Sequence, residues 1–511
     1  MTPGERHRPR YHYTAARNWI NDPNGLVWFD GEYHLFYQHN PFGNEWGHMS
    51  WGHAVSPDLV HWQELPVALP EDERVSIYSG SVVVDERHRA GFGQGRHPAL
   101  VAVYTGCLRR PEGGQAQELA WSTDRGRTWT KHAGNPVLDL GLRDFRDPKV
   151  FWHAPSARWV MAVVVPDDRR VQFHGSSDLK RWTKLGEFGA PFEGEGIWEC
   201  PDLLPLQVPG EGTRWLFKVD VFGGHPSGGT GARIFFGDFD GERFIPEPEP
   251  QPQWADFGSD FYAALSWANL AARPLSQAAP GEGAVWIAWM NCHRYARELP
   301  TSPWRGAMTV PRALSARRID GRLRLLQQPV AALQALRGPA WELPPIEVGE
   351  AGCVLRPPAG FDATSFELAC SVASSTAQTW AVALRVGAGD DGGDDGEATL
   401  VGYDNLRQVV FIDRSRAGFA PPGDPHYAGR REAPCPPPAP GRPLRLRLLV
   451  DACSVEVFVG EGELTLTEQI LPGARSLGLR LVSHSGSTRF LAGRAYPIRP
   501  YNTDQCRASA L

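Results

Sequence analysis

The chain has 511 residues, too long for one ordinary domain and long enough for two sizeable cores. Its net charge is −6, with 52 Lys and Arg against 58 Asp and Glu, and no basic run tracks a phosphate backbone, so nucleic acid is excluded as the expected partner. No run of about 18 apolar residues occurs, which excludes a predicted membrane helix, and eight cysteines without a C-x-x-C pair argue against a zinc site or a dense disulfide framework.

The opening MTPGERHRPRYHYTAARNW lacks the apolar centre of a secretory signal. The chain as given is therefore expected in the cytoplasm, or outside the cell if a leader has been removed. Fifty-five Gly with 19 Trp and 12 Tyr point to a turn-rich β protein whose exposed aromatics could stack on sugar rings.

The first element is NWINDPNGL, residues 18–26, where an acid sits inside a turn ahead of an apolar strand. Asp30-Gly31 then separates two aromatic-rich runs, a two-residue hairpin signal. SPDLVHW ending at Trp62, STDRGRTW ending at Trp129 and SSDLKRW ending at Trp182 repeat one another at the spacing of four-stranded propeller blades. In step with them, a polar cluster followed by two apolar strands recurs around Asp22, Ser79, Asp147, Glu199 and Asp260. Five such slots predict five blades, with the slots converging at one mouth of the central channel.

Beyond Arg312 the texture changes. LRLRLLVDACSVEVFVGEGELTLT, residues 444–467, alternates apolar and polar with period two and predicts a β-sandwich. GAGDDGGDDGE, residues 387–397, lacks calcium-loop spacing and is expected at a solvated hairpin tip, and the Pro-rich 433–443 is expected as a surface loop. The expected fold is all-β: a five-bladed propeller over residues 1–328, a linker over 329–345 and a sandwich over 346–511. Converging acids on neutral, aromatic-rich walls, without metal ligands or a phosphate loop, point to glycoside hydrolysis with no metal and no cofactor.

WINDPNG, FRDP and WEC, in this order, resemble the signature motifs of glycoside hydrolase family 32, the invertase, inulinase and levanase group. The likeness extends through FYQHNP, WGHMSWGHAVS, YSGS, DFYA and WRGAMTVPR into the sandwich at DRSRAGF. That family has a five-bladed propeller and a C-terminal sandwich. By motif, Asp22 resembles its nucleophile, Glu199 its acid/base and Asp147 its transition-state stabiliser, while Asn21, Gln38, Trp46, Ser81, Asp260 and Trp289 are expected to line a fructose pocket. Arg146 is expected to keep Asp147 ionised, Trp198 to supply an apolar wall for Glu199, and Cys200 to be a packed thiol.

The resemblance implies a retaining, exo-acting enzyme that frees terminal fructose from levan, inulin, fructo-oligosaccharides or sucrose. A sucrose-preferring invertase or a fructosyltransferase would share the same acids. A non-catalytic carbohydrate-binding propeller is the alternative from another class, disfavoured by the intact acid trio. Ile20, Leu265 and Ser266 depart from residues common in the family at these motifs.

Overall fold

A computed structural model describes residues 3–93, 97–189, 196–248, 253–274, 281–387 and 396–501. The expected hairpin tip and Cys506 therefore fall largely or wholly outside the described residues. Among those described, five sheets of four or five strands form the N-terminal part, antiparallel except where Asn18 and Trp19 pair in parallel with Trp304–Arg305. Their innermost strands are Asn18–Phe29, Val75–Asp85, Arg146–His153, Ile197–Val208 and Tyr262–Ser266. Each touches the next and the fifth touches the first, which closes a five-bladed propeller.

Local chemistry explains each unit. At the first hairpin, Asp30 and Gly31 have φ of 47° and 86°, the left-handed pair that a tight two-residue turn requires, and Phe29 pairs with Glu32 across it. The three Trp-ended repeats occupy the turn between the third and outer strands of the first three blades. In each a Ser Oγ donates to an Asp two residues on, as from Ser56 to Asp58, and that Asp accepts nearby backbone N–H groups, as from Val60 and His61. These motifs are corner braces far from the channel.

The ladders also slip inside all five innermost strands: between Ile20 and Pro23, Ile77 and Gly80, Arg146 and Lys149, Glu199 and Asp202, and Tyr262 and Leu265. A bulge re-aims the side chains beside it, and Asp147, Cys200 and Ala263 adopt φ of 64°, 47° and 54° at these points. In the first blade Gly25 is needed, because its φ is +55° and a Cβ would meet Phe36 and Val82 at 2.7 and 2.8 Å.

The last propeller strand ends at Pro329, and Trp341–Leu343 pairs with Gly493–Pro497 at the edge of the first of two further sheets. Leu368 and Leu448 from that sheet and Val382, Val401 and Ile412 from the other share one core, which makes a sandwich. The alternating run 444–467 becomes a meander of Leu444–Asp451, Ser454–Val459 and Leu464–Gln469. Buried charges stitch sandwich to propeller. His12 bridges Asp451 and Glu456 at 2.8 Å each, and Arg312 bonds Asp256 and Glu456. No helix among the described residues is long and apolar enough to cross a membrane.

Candidate active site

A cavity of about 600 Å³ opens at one mouth of the channel, and Asp22, Asp147 and Glu199 reach it from blades one, three and four. Asp22 is held from two sides: Ser79 Oγ donates to Oδ2 at 2.7 Å and Asn21 Nδ2 to Oδ1 at 3.0 Å. Asn21 is itself fixed by Trp19 Nε1, which donates to its Oδ1 at 2.7 Å.

Asp147 is the most buried of the three acids. Its own N–H donates to Thr105 Oγ1 and its Oδ2 accepts the Cys200 N–H, both at 2.9 Å. Burial pushes its carboxyl up to about 7, with Glu199 and Asp22 adding to the shift and Arg146 opposing it. The Cys200 thiol lies 3.7 Å from Asp22 Oδ2 and 3.6 Å from Asp147 Oδ2, and burial followed by these two acids pushes it well above the ordinary thiol range. A thiol so disposed is no nucleophile at neutral pH.

Arg146 bonds Glu199, through Nε at 3.1 Å and Nη2 at 3.0 Å, and Asp144, through Nη1 at 2.8 Å, while its charge favours the ionised form of Asp147 against burial. The expectation for Trp198 is corrected. Trp198 forms no wall of the site: it packs against Phe188 and Phe235 in the blade core, because neighbouring strand residues point to opposite faces. The second oxygen of Glu199 accepts a hydrogen bond from the Tyr262 hydroxyl, which burial and Glu199 push well above its ordinary range.

Of the remaining expected residues, Asn21, Gln38, Trp46 and Arg146 line the cavity. Gln38 Nε2 is buried without a protein partner and so offers a donor to a ligand hydroxyl, and Trp46 is 40% exposed at the mouth, edge-on to Tyr78.

Ser81, Asp260 and Trp289 do not line it. Ser81 Oγ donates to the Pro148 carbonyl and accepts the Val150 N–H, joining blade two to blade three. Trp289 is fully buried behind Trp19 and His293. Asp260 precedes its strand, accepts from Tyr295 and binds Arg414 and the Gln469 N–H of the sandwich at 2.7 and 2.8 Å; the fifth slot is filled by Tyr262 instead.

Arg414 also pairs with Glu468, so removing it strands two buried carboxylates. Arg414→Met is expected to cost about 3–5 kcal/mol in denaturant unfolding while leaving KM of the folded enzyme unchanged. A shift in KM without loss of stability would return Asp260 to the ligand pocket.

Ser79, expected as a slot at the channel mouth, lines the cavity, whereas sequence reasoning missed Trp19, Gln115, Tyr262, His293 and Arg297 as its neighbours. Ser79 and Tyr262 had a signal, in the slot spacing and in DFYA; the loop carrying His293 and Arg297 had none. Among the described residues no group of His, Cys, Asp and Glu is arranged to hold a metal ion.

Carboxyls from several blades meeting at one mouth of the propeller supply the flanking pair that glycoside hydrolysis requires. The model for the glycosyl hydrolases family 32 N-terminal domain matches residues 12–329, and that for the family 32 C terminal matches 344–497. The chain belongs to glycoside hydrolase family 32. It is 40% identical over 500 residues to a levanase of Bacillus subtilis (strain 168), covering 97% of this chain and 71% of the relative. It is 37% identical over 527 residues to an extracellular exo-inulinase of Aspergillus awamori, covering 96% and 94%. The crystal structure of an exo-inulinase from Aspergillus awamori superposes with a TM-score of 0.88 at 36% identity, over 97% of this chain and 99% of that one. A β-fructofuranosidase from Schwanniomyces occidentalis complexed with fructosyl-erythritol gives 0.86 at 27% identity, over 96% and 98%.

Proposed function

We propose that this enzyme is a retaining, exo-acting β-fructosidase that releases terminal fructose from fructans, fructo-oligosaccharides and sucrose. The observation that carries the reading is the division of labour among the three acids by their bonding. Asp22, gripped by Ser79 and Asn21, presents a carboxylate whose direction is fixed before substrate arrives, as a nucleophile at the anomeric carbon requires. Glu199, between Arg146 and Tyr262, is the acid that protonates the leaving oxygen and the base that then activates water. Asp147 accepts hydrogen bonds from sugar hydroxyls, which strengthen as positive charge grows on the ring.

The steps follow from these roles. Asp22 adds to C2 as Glu199 gives its proton to the departing oxygen, leaving a fructosyl ester on Asp22. Water then attacks C2, gives a proton to Glu199 and frees Asp22. Two displacements return the original configuration, and they require the Asp22 and Glu199 carboxyls to stand about 5–5.5 Å apart. Substrate preference rests on the levanase and exo-inulinase relatives and on the aromatic rim at Trp46.

The test is product analysis over time on levan, inulin and sucrose, with NMR of the first-formed sugar. Free β-fructose is expected from the earliest point. Early release of oligosaccharides would make the enzyme endo-acting, an inverted first anomer would end the retaining assignment, and growth of longer oligosaccharides from sucrose would make it a transferase.

A further inference from the structure

Behind the carboxyl cluster lies a charged layer that the mechanism above does not use. Lys218 and Asp220, two residues apart on the strand Gly212–Phe222, are both fully buried. Strand alternation puts them on one face, and Asp220 stands directly opposite Glu199 in the ladder. Directly opposed residues hold their Cβ atoms about 4.5–5.5 Å apart, and like charges so placed repel. Lys218 Nζ donates to Asp220 Oδ2 at 2.5 Å and to the Cys200 carbonyl at 2.6 Å, which leaves Asp220 Oδ1 buried without a hydrogen-bond partner.

The two bonds of Lys218 have different consequences. The one to Cys200 holds a non-glycine residue at φ 47°, at the slip of the ladder between Glu199 and Asp202, and so fixes the bulge that aims Glu199 into the cavity and the Cys200 N–H at Asp147. The one to Asp220 anchors a fourth carboxyl beside the three already described. A buried ion pair adds little stability over well-packed apolar residues of similar volume, so packing alone does not account for it.

We infer that Asp220, anchored by Lys218, is a positioning residue for the reaction: its carboxylate, across the strand pair from Glu199, makes loss of a proton from the catalytic cluster unfavourable and so preserves the acid at alkaline pH. The inference rests on the acid/base role proposed for Glu199. The groups that face Asp220 are Lys218 on its own strand, Glu199 and Cys200 on the neighbouring strand, Asp22 from blade one and Tyr262 from blade five. Burial pushes Asp220 up to about 8, Lys218 opposes this, and Asp22 and Glu199 add to it. The ammonium of Lys218, bonded to Oδ2, favours the charged form of Asp220 against that burial.

The test is the pH profile of kcat/KM for sucrose with Asp220→Asn, which keeps a bond to Lys218 and removes the charge. The alkaline limb is expected to move to lower pH by about one unit, so that activity at pH 8 falls about tenfold while at pH 5.5 it stays within about twofold. An aryl fructoside, which departs with little help from an acid, should lose far less at pH 8. A profile that superimposes on that of the parent enzyme, or an equal loss at every pH and on both substrates, overturns the inference. Asp220→Ser, a second substitution that removes the charge while leaving Lys218 on the Cys200 carbonyl, is expected to show the same alkaline shift and decides the matter if Asp220→Asn does not fold. Glu199→Gln in parallel separates the two readings: if it retains sucrose hydrolysis the role of Glu199 fails, and if it behaves as an acid/base variant while Asp220→Asn leaves the limb unmoved, only the role of Asp220 fails.

Discussion

Asp22→Asn is expected to abolish turnover of every substrate, by about 10⁴-fold or more, whereas Glu199→Gln is expected to be selective. An acid/base has two separable tasks. Without its proton donor, Glu199→Gln should lose on the order of 10²–10⁴-fold with sucrose or fructan, whose leaving alkoxides are poor. An aryl fructoside needs less protonation, so its first step should suffer much less and the fructosyl ester on Asp22 should accumulate. Azide needs no general base, so it should restore turnover of that substrate and yield a β-fructosyl azide. Asp22→Asn forms no ester and should give no β-azide. Rate measurements on the two substrate types, with and without azide, check all of this. Equal losses on the aryl fructoside with no rescue of either variant would mean that Glu199 is not the acid/base.

For Asp147→Asn two effects of opposite benefit are expected. Hydrogen bonds that strengthen only as charge develops are lost, so kcat should fall by about 10²–10³-fold while KM changes little. Stability should move the other way. Burial pushes the Asp147 carboxyl up to about 7 in the folded chain, against an ordinary value near 4 when unfolded, so between those values the folded state binds more protons and is destabilised as pH rises. Asn carries no such burden and can still accept the Cys200 N–H. The variant should therefore match the parent enzyme near pH 4 and exceed it above pH 7 by about 2–4 kcal/mol. Denaturant unfolding across pH 4–8 measures this. A stability difference that does not grow with pH would mean that Asp147 is ionised at no cost, and a change confined to KM would make it a binding residue only.

These two effects belong together. Three carboxyls and a fourth behind them converge on one mouth with Arg146 and Lys218 as the cations that bond directly to them, an arrangement that sacrifices stability for a cluster able to hold and release a proton.

The sequence by itself determined what depends on a few adjacent residues. Asp30-Gly31 dictated its hairpin through backbone conformation, the Ser and Asp of the Trp-ended repeats dictated their corners through hydrogen bonds two residues away, and the period-two run 444–467 dictated strands, although in Ser454–Val459 both faces are buried because Arg312 of the propeller covers the polar one. Asp22, Asp147 and Glu199 were legible because each is carried by a short motif that recurs at blade spacing. Only the tertiary structure decided which neighbours those acids meet. Each innermost strand slips by a bulge near its slot residue, and one inserted residue sends the next side chain to the opposite face, so no count along the chain tells that Arg146 reaches Glu199. Asp260 reads as a fifth slot acid, yet it lies just before its strand, where Arg414 of the sandwich claims it and Tyr262 takes the place at the cavity. The pairing of Asp220 with Glu199 arises from strand register, and the roles of Ser81 and Trp289 from contacts between blades and across the fifth; these distances are set by closure of the propeller, which brings together residues that the chain keeps tens of positions apart.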